Sequence, residues 1–292
     1  MENNRGKKKK FGISELLILL VFLAGLGVLG YPTVSDLWNR YRNSQLISGY
    51  SRTVGDMDHS EYEAIFREAQ EYNRKHRINE IKDTFQEEGK DYVLTHPYDQ
   101  LLNPTNDGIM GYISIPKIHI ELAVYHGTGA DVLEKGVGHV EGTSLPVGGE
   151  GTHTVLAGHR GLPNAKLFTD LDQMEEGDLI FLHVLDQILA YRVDQILTVL
   201  PDELDALAIE EDKDYMTLLT CTPYGVNTHR LLVRGVRTDY EETAEEDSSG
   251  MMIAESMVND PRTLLLLAGI AVFLIILIFM LKGNRKKEKK NG

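Results

Sequence analysis

The sequence predicts a mainly β protein, a closed β-barrel with short helices, preceded by an N-terminal helical extension and flanked by two transmembrane helices. Three observations lead there. Residues 109–237 read as seven short β-like runs separated by Gly, Pro and Asn, the texture of a barrel or sandwich. Residues 16–35 carry no charge, and residues 263–281 are apolar apart from Thr263; at about 1.5 Å per residue each is long enough to cross about 30 Å of hydrocarbon. Basic residues crowd both ends of the 292-residue chain.

The ends set the expected topology. Arg5 and Lys7 to Lys10 precede the first span, and Lys282, Arg285, Lys286, Lys287, Lys289 and Lys290 follow the second. Basic segments stay on the cytoplasmic side. The expectation is therefore a cell-membrane protein with both termini cytoplasmic, spans at 12–35 and 263–281, and residues 36–262 extracellular. A cleaved signal peptide is the alternative for the first span, but no small-x-small site follows it and its apolar run is long for one.

Charge sorts by compartment. Residues 1–11 sum to +4 and residues 282–292 to +5, leaving −23 between them out of a total of −14. So acidic an ectodomain excludes nucleic acid as a natural partner; its charge serves solubility. The basic tail 282–292 reads as a topology signal with a contact to membrane lipid.

Between the spans, residues 36–90 form the helical extension. Residues 31–60 give no strong periodic signal, whereas Ser60-Glu61-Tyr62-Glu63 reads as a capping box. Tyr62, Ile65, Phe66, Ala69 and Tyr72 then fall on one helical face, predicting a helix over 61–75 that packs on the main domain. Residues 91–108, with Pro97, Pro104 and Asn106-Asp107-Gly108, read as an irregular loop. Residues 109–240 are long enough for one closed barrel, with runs at 109–115, 122–125, 152–157, 179–185, 189–197, 215–221 and 230–237, and helical pieces near 130–135 and 165–171. Residues 241–262, acidic with Ser-Ser-Gly, read as a linker.

Cys221 is the only cysteine. Outside the cell it has no intramolecular disulfide partner and is either buried filler or a reactive thiol. A reactive thiol needs help, since an ordinary one is only partly ionised at neutral pH. Candidates for that help are His119, His126, His139, His153, His159, His183 and His229. His159 stands out, following the run 154–157 within Gly158-His159-Arg160-Gly161, where flanking glycines let the backbone turn. Arg230 opens the run after Cys221, so an antiparallel return brings its guanidinium beside the thiol. A fork of donors there suits a carbonyl oxygen that becomes negative during attack. Gly148-Gly149-Glu150-Gly151 lacks the lysine and spacing of a phosphate loop and reads as a turn.

Taken together these segments resemble the sortase family. The likeness rests on Thr217-Leu-Leu-Thr-Cys221 with Arg230 nine residues on, Gly111-Tyr-Ile-Ser-Ile-Pro-Lys-Ile118, Tyr125-His-Gly-Thr128, the run Gly138 to Gly149 and Ala157-Gly-His-Arg-Gly-Leu-Pro163. With the stretch Cys221 to Gly235 and a second span, the chain is similar specifically to class C, pilin-polymerising sortases. The resemblance implies a cysteine transpeptidase on the outer face of a Gram-positive membrane. Cys221 would be the nucleophile, His159 the general acid/base, and Arg230 the group holding the substrate carbonyl. It implies cleavage of an LPxTG-like sorting signal between Thr and Gly, and transfer of the acyl group to a lysine amine of another pilin. Pilin proteins are the implied partners, and neither cofactor nor metal is required. Class C members often carry an Asp-Pro-aromatic lid; Pro97 and Tyr98 match its last two positions, while His96 stands where that motif has Asp, which predicts a weaker lid or a different segment acting as one. The competing readings are a peptidase that hydrolyses the same signal, a sortase that anchors proteins to the cell wall, and a non-catalytic membrane-tethered scaffold with Cys221 buried.

Overall fold

The computed structural model describes residues 13–75, 98–239, 264–265 and 267–274. The chain divides into two compact units, Met1–Ser35 with Met257–Gly292, and Asp36–Ser256. Helix α1 (Ile13–Gly55) contributes to both.

Within the first unit α1 carries the apolar run. Among the described residues it is the one helix long and apolar enough to cross a membrane. Residues 264–265 and 267–274 are helical as well. Phe273 stacks on Phe22 with ring centroids 5.1 Å apart, and Leu26 lies over Gly269, where a Cβ would meet Leu26 Cδ1 at 3.4 Å. The remainder of the expected second span lies outside the described residues, as do the linker 241–262 and the tail 282–292.

In the second unit α1 runs on to Gly55, through a segment that carries no strong periodic signal. Its buried residues are Asn43, Ile47, Tyr50 and Val54, a 4-3-4 spacing that lies on one helical face. That face is fastened by polar groups. Ala123 N–H donates to Asn43 Oδ1 at 3.0 Å while Asn43 Nδ2 donates to Glu121 O. Tyr50 hydroxyl donates to Met110 O at 3.0 Å and accepts from Leu185 N at 2.8 Å. Helix α2 (His59–Lys75) begins two residues earlier than expected. Asp58 O accepts from Glu61 N at 2.8 Å, so Ser60 sits inside the first turn and does not cap it. Its Ala69 and Tyr72 are buried, Tyr62, Ile65 and Phe66 pack on the core, and Asn73 exchanges two hydrogen bonds with the Leu145 backbone at 3.0 and 2.7 Å.

Eight strands follow: β1 (Ile109–Ile115), β2 (Ile120–His126), β3 (Val137–His139), β4 (Thr152–Ala157), β5 (Leu179–Val184), β6 (Gln187–Val199), β7 (Asp214–Thr222) and β8 (His229–Arg237). They close into a barrel in the order β1-β2-β3-β4-β7-β8-β6-β5. The β2–β3 and β4–β7 pairs are parallel and the others antiparallel. The sequence reading lacked β3. The helix expected at 130–135 is the single turn α3 (Ala130–Leu133), and the one expected at 165–171 is replaced by turns and a 3-10 turn at Leu171–Gln173.

Side chains alternate across the barrel wall. Leu156, Met216, Leu218, Leu231 and Val233 join the main core with α1 and α2. Val155, Ala157, Leu219 and Leu232 belong to a second cluster with Leu133, Val140 and Leu207. The second cluster is therefore on the outer face of β4, β7 and β8, under α3 and the β6–β7 loop.

Candidate active site

The outer-face cluster leads directly to the three residues of interest. Cys221 follows Leu219 by two positions on β7, Arg230 precedes Leu232 by two on β8, and His159 follows Ala157 by two beyond β4. Alternation puts Cys221 and Arg230 on the face of the apolar cluster. They are register partners in the β7–β8 ladder, so their side chains project together, with Cα atoms about 5 Å apart.

His159 is brought to the same level by a prolonged β4–β7 ladder. Ala157 pairs with Leu219, Gly158 N–H donates to Leu219 O at 3.1 Å, and the fully buried Thr220 donates its hydroxyl to Gly158 O at 2.7 Å. Glycine is required at 158, since a Cβ would lie 2.7 Å from the ring of the fully buried Phe168. Phe168 N–H closes the loop on His159 O at 3.1 Å.

Cys221 is 7% and Arg230 4% exposed; His159 is half-buried. Arg230 Nη1 donates to Asn227 O at 3.2 Å and to His229 O at 3.1 Å. Both acceptors are backbone carbonyls, Asn227 O in the β7–β8 turn and His229 O at the start of β8, and they hold the guanidinium in place. The turn starts at the cis Thr222–Pro223 bond, and Pro223 O accepts from Val226 N and Asn227 N at 3.0 Å. Burial holds the His159 pKa below the usual histidine value, and the Glu134 carboxylate at the end of α3 pulls it part of the way back. A ring kept neutral near pH 7 can take a thiol proton, and a buried cation beside a thiol favours the thiolate. The arrangement suits nucleophilic attack on a carbonyl with a donor fork at the oxygen.

The other histidines are placed elsewhere. His139 is buried between Tyr98 and Ser144, the half-buried His126 lies between Gly108 O and Leu101 O, and His153 is buried between Ala208 O and Thr217, an anchor for the β6–β7 loop. His183 stacks on Tyr112 at 4.1 Å, His119 occupies the left-handed corner before β2, and His229 Nδ1 meets the Thr228 hydroxyl. Of the expected lid, His96 and Pro97 lie outside the described residues. Tyr98 is buried in a 3-10 turn, Tyr98–Gln100. Its hydroxyl lies 2.8 Å from His139 Nδ1 and accepts from Gly127 N at 3.0 Å, and its ring stands edge-on to His126. These polar and ring contacts belong to the β2–β3 wall, not to Cys221, His159 or Arg230. Among the described residues no group of three His, Cys, Asp or Glu is placed to hold a metal. Sequence reasoning passed over Thr220, which bonds across the β4–β7 ladder, and Phe168, which packs on Gly158 and closes the His159 loop; these contacts leave no mark in the sequence.

Residues 113–238 match the model of the Sortase domain. The chain is 31% identical over 137 residues to Sortase D of Bacillus subtilis, covering 46% of this chain and 66% of that protein. It is 24% identical over 223 residues to Sortase A of Bacillus anthracis, covering 76% and 93%. Among solved structures, Sortase C of Streptococcus pneumoniae matches at 49% identity and a TM-score of 0.63, over 67% of this chain and 97% of that one. Sortase C1 of Streptococcus agalactiae matches at 46% and 0.62, over 68% and 100%. With a barrel of this closure and neighbours of class C at such identity, the chain belongs to the sortase family of cysteine transpeptidases.

Proposed function

We propose that this chain is a membrane-anchored, pilin-type transpeptidase in which Cys221, His159 and Arg230 carry the reaction. The observation that supports the assignment best is the register pairing of Cys221 with the buried Arg230, on the face to which the prolonged β4–β7 ladder delivers His159. The thiolate attacks the Thr carbonyl of an LPxTG-like signal, and the Arg230 fork stabilises the oxyanion. The C–N bond to Gly breaks, His159 delivers the proton to the departing amine, and a thioester to Cys221 remains. A lysine amine of a second pilin subunit attacks that thioester; His159 accepts its proton, the thiolate departs, and an isopeptide bond replaces the peptide bond. The pneumococcal Sortase C has been studied for pilin substrate specificity, and the likeness to it favours a pilin lysine over water or cell wall as acceptor.

The apolar helix α1 and the basic ends support anchoring with both termini cytoplasmic, residues 36–262 extracellular and the barrel of residues 109–240 as the catalytic domain. The test is incubation of the full chain, in detergent, with an LPxTG-type peptide and a pilin domain bearing a free lysine. A crosslinked product with the mass of the pilin domain plus the peptide less its Gly-containing leaving fragment, mapped to a lysine, is expected. Hydrolysed peptide alone, at saturating pilin domain, sinks the pilin assignment.

A further inference from the structure

We propose that Arg160 is a positioning residue for transpeptidation, a strut that sets the spacing between the His159 loop and the Cys221 strand end. The inference rests on the roles proposed above for Cys221 and His159.

Arg160 adjoins His159, yet its side chain turns inward and is only 8% exposed. All parts of its guanidinium are used. Nε donates to Thr169 O at 3.1 Å, Nη1 donates to Thr222 Oγ1 at 3.2 Å, and Nη2 pairs with Asp172 Oδ2. Thr169 and Asp172 lie at the far end of the loop that His159 opens, while Thr222 is the residue after Cys221. The guanidinium also faces the ring of Tyr224 in the β7–β8 turn at 6.0 Å, and that ring rests against Gly161. One side chain thus closes the loop on itself and ties it to the strand that carries the thiol.

The loop has a second attachment, to α1. Asp36 Oδ1 accepts from Lys166 N at 2.8 Å and Asn39 donates to Asn164 O at 2.5 Å. Those bonds fix its middle; the Arg160 bonds fix the end next to His159. A planar fork serves three acceptors in fixed directions, which a single ammonium cannot do. Proton transfer and attack are sensitive to displacements of about 1 Å, which can lower rate about a hundredfold.

The test uses the full chain in detergent and an LPxTG-type peptide, with single-turnover acylation of Cys221 read by intact mass across pH. Arg160→Gln and Arg160→Lys are expected to lower the acylation rate at saturating peptide at least about tenfold, with the half-saturating concentration within about twofold of wild type. Thr222→Val, which cuts only the bond at the Cys221 end, is expected to do the same in part. A loosened loop also rehydrates the His159 ring, so the limb of the pH profile governed by His159 moves upward, toward the usual histidine range. The ionisable groups to consider around that ring are Glu134 from α3, Cys221 from β7 and Arg230 from β8. Global destabilisation alone leaves that limb in place for the folded fraction.

Wild-type rate and an unmoved limb in Arg160→Lys and Thr222→Val overturn the strut, and Thr222→Val keeps the test decisive where Arg160→Gln fails to fold. Cys221→Ala and His159→Ala run alongside. Should those two keep full activity, it is the proposed catalytic assignment that fails.

Discussion

His139 gives the sharpest prediction about how this fold responds to acid. Its ring is fully buried, with Nε2 2.9 Å from Ser144 O and Nδ1 2.8 Å from the Tyr98 hydroxyl. Ser144 O only accepts, so the proton sits on Nε2 and Tyr98 donates to Nδ1. A second ring proton would meet the hydroxyl hydrogen of Tyr98, whose oxygen already accepts from Gly127 N. Burial accordingly holds the His139 pKa at about 4, against 6.5 for the free side chain. Because the folded value is the lower one, the unfolded chain binds the proton first as pH falls. The associated stability is whole above about pH 6.5 and lost progressively down to about pH 4. At about 1.4 kcal/mol per pH unit that loss is about 3 kcal/mol, a large part of a typical folding free energy. His153, held low chiefly by its own burial, acts in the same direction, so the comparison must be between variants. Urea unfolding of the wild-type chain and of His139→Gln, followed by circular dichroism from pH 7 to pH 4, isolates the term. Wild type should lose about 3 kcal/mol more than the variant across this range. Parallel curves refute the argument that burial keeps this ring neutral.

Two further predictions concern the site. Gly158→Ala places a methyl 2.7 Å from the Phe168 ring; the resulting strain should cost about 1–3 kcal/mol of stability, read by thermal melting, and should slow acylation beyond that cost because His159 is the next residue. Glu134→Gln removes the carboxylate that raises the His159 pKa, so the His159 limb of the pH–rate profile should move to lower pH, and a limb that stays in place disproves that pairing.

What could be read from the sequence, and what could not, divides along physical lines. Strands β4, β7 and β8 were legible within a residue or so because apolar and β-branched residues crowd them between turn signals. Strand β3 was not: it is three residues long with Gly138 at its centre, where a Cβ would lie 2.2 Å from Gly127 O, so close packing removed the side chain that would have marked it. Within the expected helical extension, the second half of α1 carries no clear period because its buried stripe begins with Asn43, a polar residue used as a backbone clamp, which hides the spacing from a hydropathy reading. In the site, the spacing of Cys221 and Arg230 across a short turn made their pairing readable. The approach of His159 was carried by resemblance alone, since it depends on Thr220 and Gly158 extending a parallel ladder between strands some sixty residues apart. Tyr98 shows what a motif leaves open: a Pro-aromatic pair looks the same in sequence whatever its ring packs on, and the contact of this ring with the buried His139 depends on the β2–β3 pairing.

The central claim is that Cys221, His159 and Arg230 act as one catalytic unit. Its most direct test is intact mass spectrometry of the full chain with an LPxTG-type peptide, for wild type, Cys221→Ala, His159→Ala and Arg230→Ala. A thioacyl adduct on Cys221 is expected in wild type, none in Cys221→Ala, and acylation slowed by about a hundredfold or more in each of the other two while all four remain folded. An adduct that persists in Cys221→Ala, or wild-type rates without His159 or Arg230, contradicts it.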